Sequence, residues 1–258
     1  MRLVNLHFAV GLFLIPAAFA QQQRNFISCP IVRDTKTVPC FLAEYEGETY
    51  FLAIQQDIAA EVYPPQLLHE VLVEGTVVPG PRVCGGIPLK PVKLSVLPEV
   101  NRACNVILPA EPGIEAPPAK RGAGPSTRPL QLASATRNLE EVTGPFALRE
   151  WKILFDYDSS FLFARDARSV TLAADFAVAA KAKTVEVTAY RGATLLSNGK
   201  TITEQESIAT ERAKNVADML VGLGVPAAIV TFHAVSEVAP ANGIDDASRR
   251  LVSLRVIP

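Results

Sequence analysis

Residues 107–128 read ILPAEPGIEAPPAKRGAGPSTR, a polar stretch punctuated by proline and glycine. Such a stretch cannot bury enough apolar area to offset the cost of ordering its backbone. No core can run through it, so the chain must fold as something before it and something after it. The composition on either side agrees: the 20 prolines are concentrated before residue 150, and the second half is rich in Ala and Val. A chain of 258 residues has room for two small domains. The expected boundaries are an export segment at 1–20, a first domain at 21–106, a connector at 107–145 and a second domain at 146–258. Prolines extend the connector, and a helical turn is expected within it near 137–142.

The first twenty residues carry the marks of an export signal: Arg2, an apolar run at 8–15, and the small-x-small site Ala18-Phe19-Ala20. That run is too short to span a bilayer, and no later stretch is long and apolar enough. No Cys follows the cut, so no lipid anchor is expected. The mature chain should be periplasmic in a Gram-negative cell, either free or resting on the outer membrane. A formal net charge of −1, with no basic tract interleaved with aromatics, argues against nucleic acid as a partner.

All four cysteines, Cys29, Cys40, Cys84 and Cys104, fall in the first half. An even number in an exported chain reads as two disulfides. A metal site would need a Cys-x-x-Cys pair or a His at ligand spacing, and neither is present. Spacing leaves all three connectivities open.

Between the cysteines the pattern is of short strands: 40–45, a turn at Glu46-Gly47, 49–54, then 71–78 interrupted by Gly75, and 83–97. Pro88 and Pro91 in the last run belong at bulges or an edge. Together these predict a small all-β Greek-key barrel. The runs YFLAI, VLVEGTV and GGIPLKPVKLSVL resemble a small secreted OB-type barrel. That resemblance implies that the first and fourth strands are neighbours, bringing Cys40 to Cys84 and leaving Cys29 and Cys104 to staple the ends. Tyr45, Tyr50, Phe51 and Tyr63 read as core or rim aromatics, and the strand faces lack a basic, aromatic platform. The domain is therefore assigned no ligand, only a spacer or docking role.

In the second half, strands are expected at 151–156, 184–190, 229–234 and 251–257, with helices at 165–183 and 203–223. The order β-α-β-α-β-β is an α+β sandwich of two helices on a sheet. The first helix carries Val170, Ala174, Ala177 and Val178. In the second, Thr203 and Glu206 form a capping-box pattern, Ile208, Val216, Met219 and Leu223 form an apolar stripe, and Gly224 and Pro226 end it. Arg212 interrupts that stripe near the amide-rich start of the helix, a combination that favours an anion. The same spacing describes an arginine running past the core to solvent or to a structural carboxylate.

This half resembles the OmpA-like C-terminal domain, a periplasmic module that binds peptidoglycan. ILFDYDSSFL at 153–162 matches the opening strand, IATERA at 208–213 stands at the family's L-S-x-x-R-A, and GLGVP at its helix exit. SEVAP and SRRLVSLRV resemble the G-E-x-x-P and N-R-R-V segments. The resemblance implies recognition of the diaminopimelate residue of the stem peptide. Arg212 would hold its carboxylate, Gln205 would stand at the family's Asn, and Arg249 and Arg250 would brace or contact the ligand. Departures accompany the match. Ala189-Tyr190-Arg191-Gly192 lacks the family's Asp, the loop 193–202 is longer, and Ala209 and Ser248 replace Ser and Asn. An ammonium left unpaired in a closed pocket costs about 1–3 kcal/mol. Either another carboxylate completes the clamp, or wall binding is weak or lost.

Asp156 and Asp158 read as turn or capping groups, His233 as a core residue, and Ser197-Asn198-Gly199 as a turn. No nucleophile elbow, phosphate loop or zinc-ligand spacing is present, so neither an enzyme nor a cofactor is expected. Two functions lead: a non-catalytic wall-binding module, and an envelope scaffold that has lost wall binding and docks another protein; a hydrolase using carboxylates that spacing does not assemble ranks third.

Overall fold

The computed structural model describes residues 22–55, 66–118 and 144–258. The export segment, Tyr63 and the connector from 119 to 143, including its expected turn, lie outside the described residues.

The first half builds a seven-stranded sheet from β1 (Gln23–Ser28), β2 (Pro30–Arg33), β3 (Cys40–Tyr45), β4 (Glu48–Ile54), β5 (His69–Val77), β6 (Ile87–Val100) and β7 (Val106–Leu108). Their order is β1-β5-β6-β4-β3-β2-β7, with β4–β6 and β2–β7 parallel. β1 and β2 are one run of chain interrupted at Cys29, and each half pairs with a different neighbour, β5 and β3 respectively. The expected strands between residues 40 and 97 are present, while β1, β2 and β7 carried too weak an alternation to be read. Glu46 and Gly47 both take positive φ, the turn whose twist suits a two-residue hairpin. At Gly75 the β5–β6 ladder shifts register, and a Cβ there would meet Leu89 Cβ and Pro91 O at 3.1 Å. Phe26, Phe41, Tyr50, Leu52, Val71 and Val73 fill the interior.

Disulfides join Cys29 to Cys104 and Cys40 to Cys84, with Cα–Cα distances of 4.7 and 6.5 Å. This is the pairing the barrel resemblance implies. The expected start of the connector needs correction. β7 pairs with β2, Ile114 and Ala116 pack against the cluster of Ile31, Cys40, Leu42 and Ile54, and Glu111 approaches Arg33, so 106–108 join the first sheet and the chain as far as 116 lies against it.

The second half contains β8 (Arg149–Leu154), α1 (Ala164–Ala179), β9 (Thr184–Tyr190), β10 (Ala193–Leu195), β11 (Thr201–Thr203), α2 (Ile208–Gly222), β12 (Val230–Val235) and β13 (Leu251–Ile257). The four-stranded sheet runs β12-β9-β13-β8, and the hairpin β10–β11 fills the long loop. Strict alternation of buried and half-buried residues along β9 and β13 leaves one face for the helices. Val185, Val187, Val252 and Leu254 meet Val170, Ala174 and Ala177 of α1 and Ala213, Val216 and Leu220 of α2. Alanine on both helices lets them lie close to the sheet.

Three local expectations fail here. Thr203 ends β11 and α2 starts only at Ile208, so no capping box forms. Instead Glu204 turns inward and the Gln205 N–H donates to Asp158 Oδ1 at 2.8 Å. Val178 is 44 % exposed because Phe176 takes the buried face of α1. His233 is exposed on β12, a sheet-edge strand where one face stays open to solvent.

The two sheets are not held apart as a spacer would hold them. Leu72, Tyr157 and Leu196 form a buried cluster across the seam. Asn25 Nδ2 donates to Leu195 O and Gly243 O, and the Ser197 N–H donates to Asn25 O at 2.7 Å. The Tyr157 N–H donates to Ser95 Oγ at 2.9 Å, and Lys93 pairs with Asp156 at 3.0 Å.

Candidate functional site

Arg212 lies one turn into α2, between Ile208 and Val216 on the face that meets the sheet, and its exposure is 0 %. A guanidinium has five N–H donors, and here each has an acceptor. Nε donates to Ser159 O at 2.8 Å, and Nη1 donates to Tyr190 O at 3.2 Å and Glu204 Oε2 at 2.9 Å. Nη2 donates to Asp156 O at 2.9 Å and Glu204 Oε1 at 2.5 Å. Its carbon sits 4.9 Å above the centre of the Phe155 ring.

Glu204 is equally engaged. Its Oε1 accepts from the Asp158 N–H at 2.9 Å and its Oε2 from the Gly192 N–H at 2.6 Å. Arg191 Nη1 donates to the Glu204 backbone carbonyl at 3.0 Å. The carboxylate that Arg212 was expected to take from a ligand therefore comes from the chain itself, eight residues upstream. This is the structural-carboxylate reading of the arginine. The expectation of an open anion site at Arg212 is corrected on that ground: its side chain is fully buried and every N–H is engaged by the chain's own oxygens.

Arg250 is also fully buried. Its Nη2 pairs with Glu74 Oε2 from β5, and its Nη1 donates to Glu74 Oε1 at 3.1 Å and Thr194 Oγ1 at 2.9 Å. Nε has no partner. Burial works against the charge, but the Glu74 carboxylate outweighs it and raises the guanidinium's pKa. A Cβ at position 192 would stand 2.6 Å from Arg250 Cγ, so any larger residue there makes that side chain shift. Burial, with Asp158 and Glu204 nearby, also pushes the Tyr157 phenol well above its ordinary range.

Gln205 and Arg249 do not join these groups. Gln205 is exposed at the rim of a cleft of about 680 Å³ along the seam, with Tyr157, Asp158 and Lys200 on one wall and Glu70 and Arg102 on the other. Burial raises the Asp158 carboxyl above its usual value. Arg249 is half-buried, donates to Pro240 O, and lines a separate groove of about 510 Å³. The four residues expected to share a ligand are thus distributed over two internal ion pairs, a seam cleft and an outer groove.

Sequence reasoning missed both glutamates. Glu74 left a signal, a lone carboxylate inside the apolar run VLVEGTV. Glu204 left none, because it sat in a stretch read as the first turn of α2.

No family model matches this chain, and no curated protein matches it. Solved structures do. The OmpA-like domain of FopA1 from Francisella tularensis is 19 % identical, covering 43 % of this chain and 73 % of its own, with a TM-score of 0.36. The cell wall anchor of the T6SS from Pseudomonas aeruginosa is 22 % identical, with coverage of 43 % and 80 % and a TM-score of 0.33. The C-terminal domain of Helicobacter pylori MotB is 16 % identical, with coverage of 41 % and 83 % and a TM-score of 0.33.

Proposed function

We propose that this is a non-catalytic, exported scaffold protein of the cell envelope whose OmpA-like half does not hold the wall through Arg212. The observation that carries this reading is the buried, bidentate Glu204–Arg212 pair, which leaves the guanidinium no donor for an outside carboxylate. A ligand would have to displace Glu204 and strand a buried charge, a cost of about 3–5 kcal/mol. Of the two functions open from sequence, docking to another envelope protein is thereby favoured over recognition of the stem peptide. Two disulfides suit an oxidising compartment such as the periplasm. The OB-like reading of the first sheet belongs to the same proposal, supported by the β1–β2 run that borders β5 on one side and β3 on the other.

Co-sedimentation with purified peptidoglycan tests this reading. The wild-type protein should stay in the supernatant, and the paired replacement Glu204→Leu with Arg212→Met, which strands neither charge, should behave identically. Wild-type protein that pellets, and is released by free diaminopimelate, would restore the wall-binding function.

A further inference from the structure

Along β5, Glu74, Leu72 and Glu70 alternate onto the face that meets the second half of the chain. Glu74 holds Arg250, and Leu72 packs on Tyr157 and Leu196. Beyond Leu72 the halves part, and Glu70 lines the cleft of about 680 Å³ that Tyr157 and Asp158 line from the other side. The seam itself builds this cleft, and neither half alone would form it.

The groups inside it are left short of partners. Tyr157 is 7 % exposed, and its hydroxyl has no hydrogen-bond partner among the described residues, although its backbone N–H is taken by Ser95. A buried phenol ordinarily finds one. Asp158 is half-buried and fixed through the backbone: its N–H donates to Glu204, and its Oδ1 accepts from the Gln205 N–H. Glu70 is half-buried and accepts from Asn101 Nδ2 at 3.2 Å. Neither carboxylate forms an ion pair among the described residues. Burial raises the Asp158 carboxyl, and an outside cation would work against that.

The charge inside the cleft selects a cation. Glu70 and Asp158 are the half-buried groups, whereas Arg102 and Lys200 are exposed at the mouth, where water screens them. Glu99 at the same mouth tips the balance further toward negative charge. A bare metal ion does not suit the site, since no three His, Cys, Asp or Glu side chains among the described residues stand close enough to hold one. An ammonium is a point charge, but a guanidinium is wide and planar and can serve acceptors on two walls at once. Half-buried Leu97 and Ile202 offer its methylene stem an apolar strip.

We propose that this cleft docks an arginine side chain presented by a partner protein. The guanidinium sits between Asp158 and Glu70 and donates to the Tyr157 hydroxyl, while Arg102 and Lys200 meet acidic residues that flank the arginine. This names the partner chemistry for the docking function above and rests on that reading. It stands apart experimentally, because its variants leave Glu204 and Arg212 untouched.

The probe is fluorescein-labelled Gly-Asp-Arg-Asp-Gly-amide, titrated against the full chain by polarisation. Counterparts carry citrulline or lysine in place of the arginine. The arginine peptide should bind, the citrulline peptide about ten-fold or more weaker, and the lysine peptide in between. Glu70→Gln and Asp158→Asn should each cost the arginine peptide about ten-fold. Tyr157→Phe gives up no internal hydrogen bond, so it should not lower the urea midpoint, yet it should weaken binding about five-fold. Equal binding of the arginine and citrulline peptides, or wild-type affinity in both Tyr157→Phe and Glu70→Gln, overturns the proposal. A lysine peptide that binds as tightly overturns it in favour of an ammonium. Argininamide that competes as well as the whole peptide overturns it in favour of a small ligand. Self-association of the chain that Glu70→Gln abolishes overturns it in favour of a second copy. Absence of peptide binding, with wild-type protein still free of the wall pellet, defeats this inference alone; a wild-type pellet released by diaminopimelate defeats the reading beneath it.

Discussion

Arg212 and Arg250 are both fully buried and both clasped by a glutamate, yet the two pairs do different work. Arg212 takes its carboxylate from eight residues upstream and adds three backbone carbonyls, all from the same half of the chain. Arg250 takes its carboxylate from a strand 176 residues away, across the seam, and among the described residues its Nε has no partner. The first is a closed, saturated knot within one half of the chain. The second is an incomplete clamp that sets how the two sheets meet. A buried ion pair is weak evidence for net stability, because desolvation offsets attraction. What it secures is arrangement, since an alternative packing would leave a buried charge unpaired.

The contrast can be broken at its strongest point first. Glu204→Ala strands Arg212 and should cost about 3–5 kcal/mol in urea unfolding. The loss should fall on the C-terminal half, whose core packs directly around α2. Replacing both members, as Glu204→Leu with Arg212→Met, should recover much of it, which separates the cost of an unpaired charge from the value of the pair.

Glu74→Gln keeps the shape and removes the charge, and should cost about 1.5–3 kcal/mol. Its signature differs from the first variant. The Ser197 and Tyr157 amides, which donate across the seam, should exchange faster while the α2 core stays protected. Equal loss of protection in both places would show that the halves unfold as one unit and that the seam is not a separate layer of stability.

Gly192→Ala presses on Arg250 from the other side. The added methyl would stand 2.6 Å from Arg250 Cγ, so the clamp must shift, at about 1–3 kcal/mol. Combined with Glu74→Gln it should cost less than the sum, because both act on one side chain.

Asp158→Asn tests the surroundings of the saturated pair by pH. Burial holds this carboxyl above its ordinary value of 3.8, so the folded chain keeps the proton to higher pH than the unfolded chain does. Stability from this group is therefore greatest below 3.8 and declines as the pH rises through the raised folded value. Asparagine cannot titrate, retains an acceptor for the Gln205 N–H, and tolerates the left-handed φ of 49° at this position. The variant should gain on the wild type as the pH rises from about 3 to about 7, measured by urea midpoints. A constant difference across that range would remove Asp158 from the account.

Much of the fold was legible in the sequence wherever the signal was local. Alternation marked β9 and β13, the Glu46-Gly47 turn marked the hairpin of β3 and β4, and the stripe through Ile208, Val216, Met219 and Leu223 marked the sheet-facing side of α2, of which Ile208 and Val216 are buried and the other two half-buried. Gly224, at φ 97°, marked its end. The strands that escaped, β1, β2 and β7, are short or half-buried, and tertiary pairing decides them rather than propensity. The start of α2 was misplaced because Thr203 and Glu206 imitate a cap, while the actual constraint is Glu204 drawn into the interior. At the candidate site, the position of Arg212 was legible and its partner was not.

By itself the sequence determined that a guanidinium would interrupt the apolar stripe of a helix, and that two alternating strands would offer that helix an apolar surface. Periodicity along one segment is enough for both. Only the tertiary structure decided whether that guanidinium would meet the outside or be silenced from within. Its acceptors come from residues 156, 159, 190 and 204, and the clamp on Arg250 from residue 74. Whether a donor is satisfied depends on atoms brought together by folding, and no spacing along the chain records that.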